Sequence, residues 1–272
     1  MKRFVDDFWK IAVRVCLLIT LAFLIGPLIV AISMSFDARG YLAPFPPTSL
    51  SLRWYGAFFT NEAFISGVWN SLILGFAATL VSAIIGTMAA LAITNYDFRG
   101  KALVSALFLS PLMIPAVVVG LALLVFFSRA GIFNGFFRLF CAHVIVTLPF
   151  TTRAALASLA GIKRSLVEAA MSLGANERQA FWDVTFPIAK TGIFAGCIFA
   201  FAYSLDDVAA SLFLYDTRSI TLPIALVGHM RASFDLSVAA ASTFLAFITV
   251  LLIVVLDRLI GLNRVIGRGL YR

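Results

Sequence analysis

Six long apolar runs dominate this sequence of 272 residues and restrict what it can fold into. Each run approaches or exceeds the ~20 helical residues that cross a hydrocarbon core of about 30 Å. Because backbone groups in lipid must find hydrogen-bond partners within their own segment, runs of this length are predicted to be helices. The predicted spans are Ile11–Ser35, Val68–Ile93, Leu103–Phe127, Ile132–Phe150, Gly192–Leu214 and Leu236–Leu256. The predicted fold class is therefore all-α, a polytopic membrane protein with six transmembrane helices.

Composition agrees with a lipid environment. The chain is 62% hydrophobic and only 12% charged, about half the charged fraction of a typical soluble domain. Its net charge of +8 comes from basic residues scattered between apolar runs, unlike the continuous basic patch of a nucleic-acid-binding protein. With the N-terminus placed in the cytoplasm, more than two thirds of the 21 Lys and Arg residues fall on the inner side. The positive-inside rule then predicts that both termini are cytoplasmic.

The chain is predicted to have three parts. Residues 1–67 hold the first helix and an external segment, residues 68–260 hold a core of five helices, and residues 261–272 form a basic cytoplasmic tail. Aromatic residues are frequent in the external segment and are predicted to form a short amphipathic helix at the membrane interface, a depth that Trp and Tyr favour. These residues are Trp54, Tyr55, Phe58, Phe59 and Phe64.

The long inner loop, at about residues 151–191, is the most informative stretch of the sequence. Residues 165–173 are good helix formers, and Gly174 can end that helix in a left-handed conformation. Asn176 is a natural N-cap for a second helix, with Gln179 three residues later as in a capping box. A bent pair of short helices with small residues on its surface is suited to docking into the groove of a partner protein.

A specific pattern runs through this loop. Glu168-Ala169-Ala170 is followed after three residues by Gly174, and further on by Phe181 and by Pro187, which ends the second helix or starts a new turn. The pattern resembles the EAA loop of permeases from binding-protein-dependent ABC importers. In that family the loop forms a coupling helix that fits a cleft in a cytoplasmic ATPase and transmits its closing and opening to the membrane helices. The resemblance implies ATPase contacts at Glu168, Ala169, Ala170, Gly174, Ala175, Phe181 and Pro187.

Other segments extend the resemblance over most of the chain after residue 50. Residues 69–72 and 95–101 resemble the start of the family's core and its first inner loop, and residues 204–208 and 221–223 resemble the second permease subunit of spermidine/putrescine transporters. The resemblance implies a type I (MetI-like) importer core in the bacterial cytoplasmic membrane. The implied partners are a second permease subunit of paralogous sequence, a homodimeric cytoplasmic ATPase that binds ATP and Mg²⁺, and an external substrate-binding protein. The implied cargo is a polyamine, with aminophosphonates, amino-acid derivatives and ferric iron as alternatives.

The sequence offers no catalytic or metal-binding pattern. The pair Gly100-Lys101 is not followed by Ser or Thr, and Asn95 stands where the first P-loop glycine would be. His143 and His229 lie in different segments, and the three cysteines sit singly in apolar runs. The chain is therefore predicted to be no enzyme and to bind no metal or cofactor itself.

Two adjacent acids, Asp206 and Asp207, fall inside the predicted fifth span. They lie roughly 21 Å along the helix from Gly192, at a depth where an unpartnered carboxylate is costly. Because neighbouring helical residues point in different directions, one acid is expected to face a substrate path near Ser204 while the other pairs with a partner helix or subunit. Such a site would attract a cationic cargo. The equally weighted alternative is a structural carboxylate that caps a broken helix or forms a bond between subunits.

Further features in the predicted spans leave alternatives open. His143 either lines a pathway or bonds to a neighbouring helix, and Pro111 and Pro115 are predicted to kink the third span. An ion-coupled secondary transporter is the rival function, with Asp206 and Asp207 as an ion relay. The docking-type inner loop argues against that rival.

Overall fold

The computed structural model describes residues 2–41, 43–233 and 235–260, and these residues form helices joined by short connections. The helices are α1 (Lys2–Ser35), α2 (Arg53–Thr60), α3 (Glu62–Asn95), α4 (Lys101–Leu109), α5 (Ala116–Arg129), α6 (Gly135–Ala160), α7 (Arg164–Ser172), α8 (Glu177–Ala180), α9 (Phe186–Asp206), α10 (Leu222–Ala232) and α11 (Ser237–Ile260). The predicted all-α fold is confirmed. The predicted basic tail at residues 261–272 lies outside the described residues.

Five helices in the described part of the chain are long and apolar enough to cross a membrane, or six spans result if one bent pair counts as a span. The bent pair consists of Lys101–Leu112 and Ala116–Arg129, and the chain bends by 103° between them. The bend falls at Pro111 and Pro115, where proline removes backbone donors and restricts the preceding residue. The predicted kink is confirmed, and it is sharp enough to divide the third span into two helices, α4 and α5.

One predicted span ends much later in the structure than the sequence indicates. The fourth span, predicted over Ile132–Phe150, continues to Ala160, because the polar side chains that follow Phe150 find hydrogen-bond partners inside the protein. Thr151 and Thr152 are buried, and their hydroxyls donate to the carbonyls of Ser82 (2.7 Å) and Leu148 (2.8 Å). Hydropathy locates apolar residues and does not register hydroxyls that bond to the backbone.

One compact unit contains Ser66–Ala225 and, among the described residues that follow, 248–260. Within it, α6 packs closely against α9 and α3 where glycines leave room. A Cβ on Gly196 of α9 would lie 2.7 Å from the Ala154 Cβ and 3.2 Å from the Phe150 carbonyl oxygen. A Cβ on Gly86 of α3 would lie 2.9 Å from the Thr152 nitrogen. Small residues at helix crossings let backbones approach and gain van der Waals contact in lipid.

Replacing Gly196 by valine should lower the free energy of unfolding by about 1–3 kcal/mol, because the added methyl groups overpack the α6–α9 contact. The measurement is the melting temperature of the detergent-solubilised protein. Gly26→Val is the control, since no atom lies within 4 Å of a Cβ placed there. Equal melting temperatures for the two variants would contradict the packing described.

A second compact unit contains Met1–Ile65 and Leu226–Phe247. Its core is aromatic: Phe58 is fully buried, and its ring centroid lies 4.9 Å from that of Phe244 and 5.7 Å from that of Phe64. Trp54 is also buried, beside Met34. Trp54 and Phe58 of α2 therefore pack inside this unit, and Phe64 belongs to α3 rather than to the short helix. The interfacial depth of α2 stays a prediction. An aromatic ring suits a packed core as well as a membrane interface.

Side chains from α3 hold the stretch between α9 and α10. Asn70 donates from Nδ2 to the carbonyls of Arg218 (3.2 Å) and Ile220 (2.9 Å), and the Ser71 hydroxyl accepts a bond from the Leu222 N–H (2.9 Å). Residues 69–72 and 221–223, which the sequence singled out separately, therefore lie together. This stretch is fixed to the helices around it.

Candidate functional site

A Schellman motif ends the first helix of the predicted docking loop. Gly174 has φ = 96°, in the left-handed region that glycine adopts without steric cost. Its N–H donates to the Met171 carbonyl (3.0 Å), and the Ala175 N–H donates to the Ala170 carbonyl (3.1 Å). These bonds satisfy carbonyls that the end of α7 leaves free. The predicted stop at Gly174 is confirmed.

The second helix of the loop begins at the predicted capping box. The Asn176 side chain accepts a bond from the Gln179 N–H, and the Asn176 N–H donates to the Gln179 side-chain oxygen, both at 2.9 Å. The chain then passes through a π turn, Phe181–Thr185, directly into α9. Pro187 lies in the first turn of α9, where a missing N–H is tolerated. Of its two predicted roles, starting a new turn is the one observed.

The outer surface of this helix pair is exposed. α7 has no buried residue, and Leu173 at its tip is 90% exposed. Glu168 is exposed and pairs with Arg164 one turn earlier, at 3.0 Å between Oε1 and Nε. Such an exposed pair contributes only ~0.3–0.5 kcal/mol to stability, so Glu168 is not needed to hold the fold. Among the other predicted contact residues, Gly174, Ala169 and Pro187 are exposed, and Ala170, Ala175 and Phe181 are half-buried.

A cavity of about 720 Å³ separates α7 from the end of α3. Val167, Glu168 and Met171 line it on one side, and Leu91 and Thr94 line it on the other. The helix pair therefore borders open space on this side. The arrangement suits an element that moves under force from a bound partner.

The two predicted acids have different surroundings at the end of α9. Asp206 is exposed, whereas Asp207 is 7% exposed. Asp207 accepts bonds from the Ser211 N–H (3.0 Å) and hydroxyl (2.9 Å), and a longer one from the Ala210 N–H (3.5 Å). Asp207 thus caps the turn after the break and stops α9, so the predicted continuation of this span to residue 214 is wrong. Counted from Phe186, the acids lie roughly 30 Å along the helix, at its end rather than within it.

A buried histidine connects both sides of this break to α6. The His143 imidazole is fully buried, with Nδ1 2.7 Å from the Ser204 hydroxyl in α9 and Nε2 2.8 Å from the Ser211 hydroxyl after the break. Of the two interpretations of His143, bonding to a neighbouring helix is the one observed. Ser204 and Asp207 therefore share one polar cluster with His143. Ser211 was missed because a serine in an apolar run gives no signal in a single sequence.

The predicted site residues thus lie in two separate places, the segment from α7 to the first turn of α9 and the break after α9. Contact of the first place with an ATPase and of the second with a substrate path stay predictions of the sequence.

Comparison with known proteins identifies the family. Residues 82–264 match the model of the binding-protein-dependent transport system inner membrane component. The chain is 31% identical over 239 residues to the spermidine/putrescine transport system permease protein PotC of Haemophilus influenzae, covering 88% of this chain and 92% of that protein. It is 29% identical over 244 residues to the putrescine transport system permease protein PotI of Escherichia coli, covering 87% and 85%.

A solved structure has the same fold. A chain of the bacterial alginate ABC transporter, crystallised in complex with alginate pentasaccharide-bound periplasmic protein, superposes with a TM-score of 0.72 at 20% identity, covering 94% of this chain and 95% of that one. At this identity the likeness concerns the fold alone. Together with the family match, it shows that the chain belongs to the inner-membrane components of binding-protein-dependent transport systems and is a multi-pass permease with the ABC importer fold.

Proposed function

We propose that the chain is one of two permease subunits of an ATP-driven importer of polyamines such as putrescine and spermidine. The observation that supports polyamines as the cargo is the similarity to PotC and PotI, which extends over most of each chain. The exposed, capped helix pair supports coupling to a partner. Both named relatives are transport permeases, which supports a transport role without chemistry in this chain.

The proposed assembly follows from the family. A paralogous permease completes the membrane part, a homodimeric ATPase binds ATP and Mg²⁺, and an external protein delivers the cargo, as a periplasmic protein accompanies the related alginate transporter. Both termini are placed in the cytoplasm by the distribution of Lys and Arg. That orientation puts α7 and α8 on the side of the ATPase.

The proposed mechanism is alternating access. Closing of the ATPase dimer moves the helix pair around Glu168 and Gly174, and the cavity beside α7 leaves space for that motion. The movement passes along the continuous path from α8 through the π turn into α9. Hydrolysis in the ATPase then resets the inward-facing state. In this scheme the side chains of this permease transmit force and border the path.

The end of α9 is the proposed cation path. Asp206 is exposed there, while Asp207 and Ser204 are buried in the His143 cluster. An exposed carboxylate at the end of a membrane helix attracts cations and interacts with ammonium groups at short range. We assign Asp206 to the cargo and Asp207 to the support of its position.

Asp206→Asn should lower polyamine uptake by about tenfold or more, since a lost charge interaction of ~1.4 kcal/mol has that effect. The measurement is uptake of labelled putrescine and spermidine by cells that lack their own polyamine importers and express the whole system. Asp97→Asn, at an exposed acid in the loop after α3, is the control and should leave uptake unchanged. An assembled parent system that takes up neither polyamine would overturn the cargo assignment.

A further inference from the structure

We infer that His143 is a positioning residue for the proposed cation path: its imidazole joins the end of α9 to the turn beyond the break and so fixes the position of Asp206. The inference rests on the proposed function for its transport consequence. The positioning of Asp206 itself depends only on the hydrogen-bonded cluster of His143, Ser204, Ser211 and Asp207.

The break in α9 needs a structural support. The helix stops at Asp206, and Asp207 adopts an extended conformation with φ = −67° and ψ = 118°. In lipid, a break leaves helix-end carbonyls without intrahelical partners, so such a point is stable only where other groups hold it. Asp207 supplies part of the support through its bonds to Ser211. Those bonds hold the new turn together, but they do not attach it to a neighbouring helix.

His143 makes that attachment, and its hydrogen bonds have one consistent direction. Asp207 as a carboxylate only accepts, so the Ser211 hydroxyl hydrogen goes to Asp207 (2.9 Å). The Ser211 oxygen must then accept from the His143 Nε2–H (2.8 Å). In a neutral imidazole, Nδ1 then carries no hydrogen and accepts from the Ser204 hydroxyl (2.7 Å). The neutral imidazole protonated on Nε2 thus satisfies every member of a chain from Ser204 through His143 and Ser211 to Asp207.

The cluster is shielded from competing partners. His143 and Ser211 are fully buried, and Ser204 is 4% exposed. Removing one member of such a network leaves buried polar atoms unsatisfied, which is costlier than losing an exposed bond. Asp206 lies between Ser204 and Asp207 in sequence and is itself exposed. His143 therefore acts on Asp206 by holding the residues on both sides of it.

The first test measures geometry without any cargo. In the full transporter complex, with Cys16, Cys141 and Cys197 replaced by alanine, Asp206→Cys provides a single thiol. Its rate of reaction with a positively charged methanethiosulfonate reagent is compared with and without His143→Phe. We expect the labelling rate to change by about threefold or more, because the net contribution of one buried hydrogen bond corresponds to a factor of that size. A smaller change would overturn the inference.

A matched control separates this effect from general damage to α6. Thr147 is fully buried one turn along α6, and among the described residues its hydroxyl bonds only to carbonyls of its own helix, at 2.6 Å to His143. Thr147→Val should leave the labelling rate unchanged. If His143→Phe does not assemble, Ser211→Ala removes the same attachment and should produce the same change, and an unchanged rate there overturns the inference as well.

The second test measures transport. His143→Phe should lower putrescine uptake per assembled complex by about tenfold, while Thr147→Val stays near the parent value. Uptake unaffected by His143→Phe would overturn the positioning role in transport. If the assembled parent takes up no putrescine, the proposed function fails, and the labelling rate still decides whether His143 positions Asp206.

Discussion

Replacing Glu168 by arginine should abolish cargo uptake while the permease still folds and reaches the membrane. Glu168 is exposed on a helix without buried residues, and its intrachain partner Arg164 is exposed as well. The fold therefore loses little when the charge is reversed. A docked partner would instead face an unpaired cation in its contact surface, which costs about 2–5 kcal/mol and lowers coupling at least tenfold. Uptake and the amount of permease in the membrane are measured together.

The pair with Arg164 provides the control for this prediction. The double variant Arg164→Glu with Glu168→Arg restores an opposite-charge pair within α7, with its order reversed. If Glu168 only stabilises α7, the double variant should recover transport. We expect it to remain inactive, because the partner's surface still meets the reversed charge. Recovery of uptake would contradict a docking role for Glu168.

Replacing Asp207 by alanine should strongly reduce the amount of folded permease. The carboxylate accepts two bonds from Ser211 and one from Ala210 at a buried position. Hydrogen bonds to a charged group are worth about 1.5–3 kcal/mol each, and their donors would remain buried and unsatisfied. The free energy of unfolding should fall by about 3 kcal/mol or more, measured as the melting temperature and the yield of monodisperse protein.

Asp206→Ala is the matched variant for this second prediction. It removes the neighbouring acid, which is exposed, and should leave melting temperature and yield close to the parent's. That result would assign a structural role to Asp207 and leave Asp206 as the residue needed for transport. Equal stability of the two variants would show that Asp207 is not the cap on which the break depends.

The sequence predicted the existence of the helices well and their bounds poorly. An apolar run in lipid has no stable alternative to a helix, so each predicted span corresponds to helical structure. The end of α9 was predicted only as one of two alternatives, a carboxylate that caps a broken helix, because Val208 and the apolar residues after it continue the hydrophobic run. Only the bonds of Asp207 to the following turn show that the helix stops there. The 103° bend at Pro111 and Pro115 likewise exceeds what a proline pattern predicts.

Local signals in the candidate site were more informative than distant ones. The stop at Gly174 and the capping box at Asn176 depend on residues within one turn, so a single sequence suffices to predict them. The His143 cluster joins residues 61 and 68 positions apart. No pattern in one sequence indicates which hydroxyl meets which ring nitrogen. The burial of Trp54 was missed for a similar reason, since its partners Met34 and Leu236 are distant in the chain.

ATP-dependent uptake into proteoliposomes tests the central claim most directly. The purified complex of this chain, its partner permease and the ATPase is reconstituted with the binding protein outside, ATP inside and labelled putrescine added. The account predicts uptake that requires ATP hydrolysis, persists when ionophores collapse ion gradients, and stops in the Glu168→Arg variant. Uptake that an imposed ion gradient drives without ATP would contradict it and favour an ion-coupled transporter.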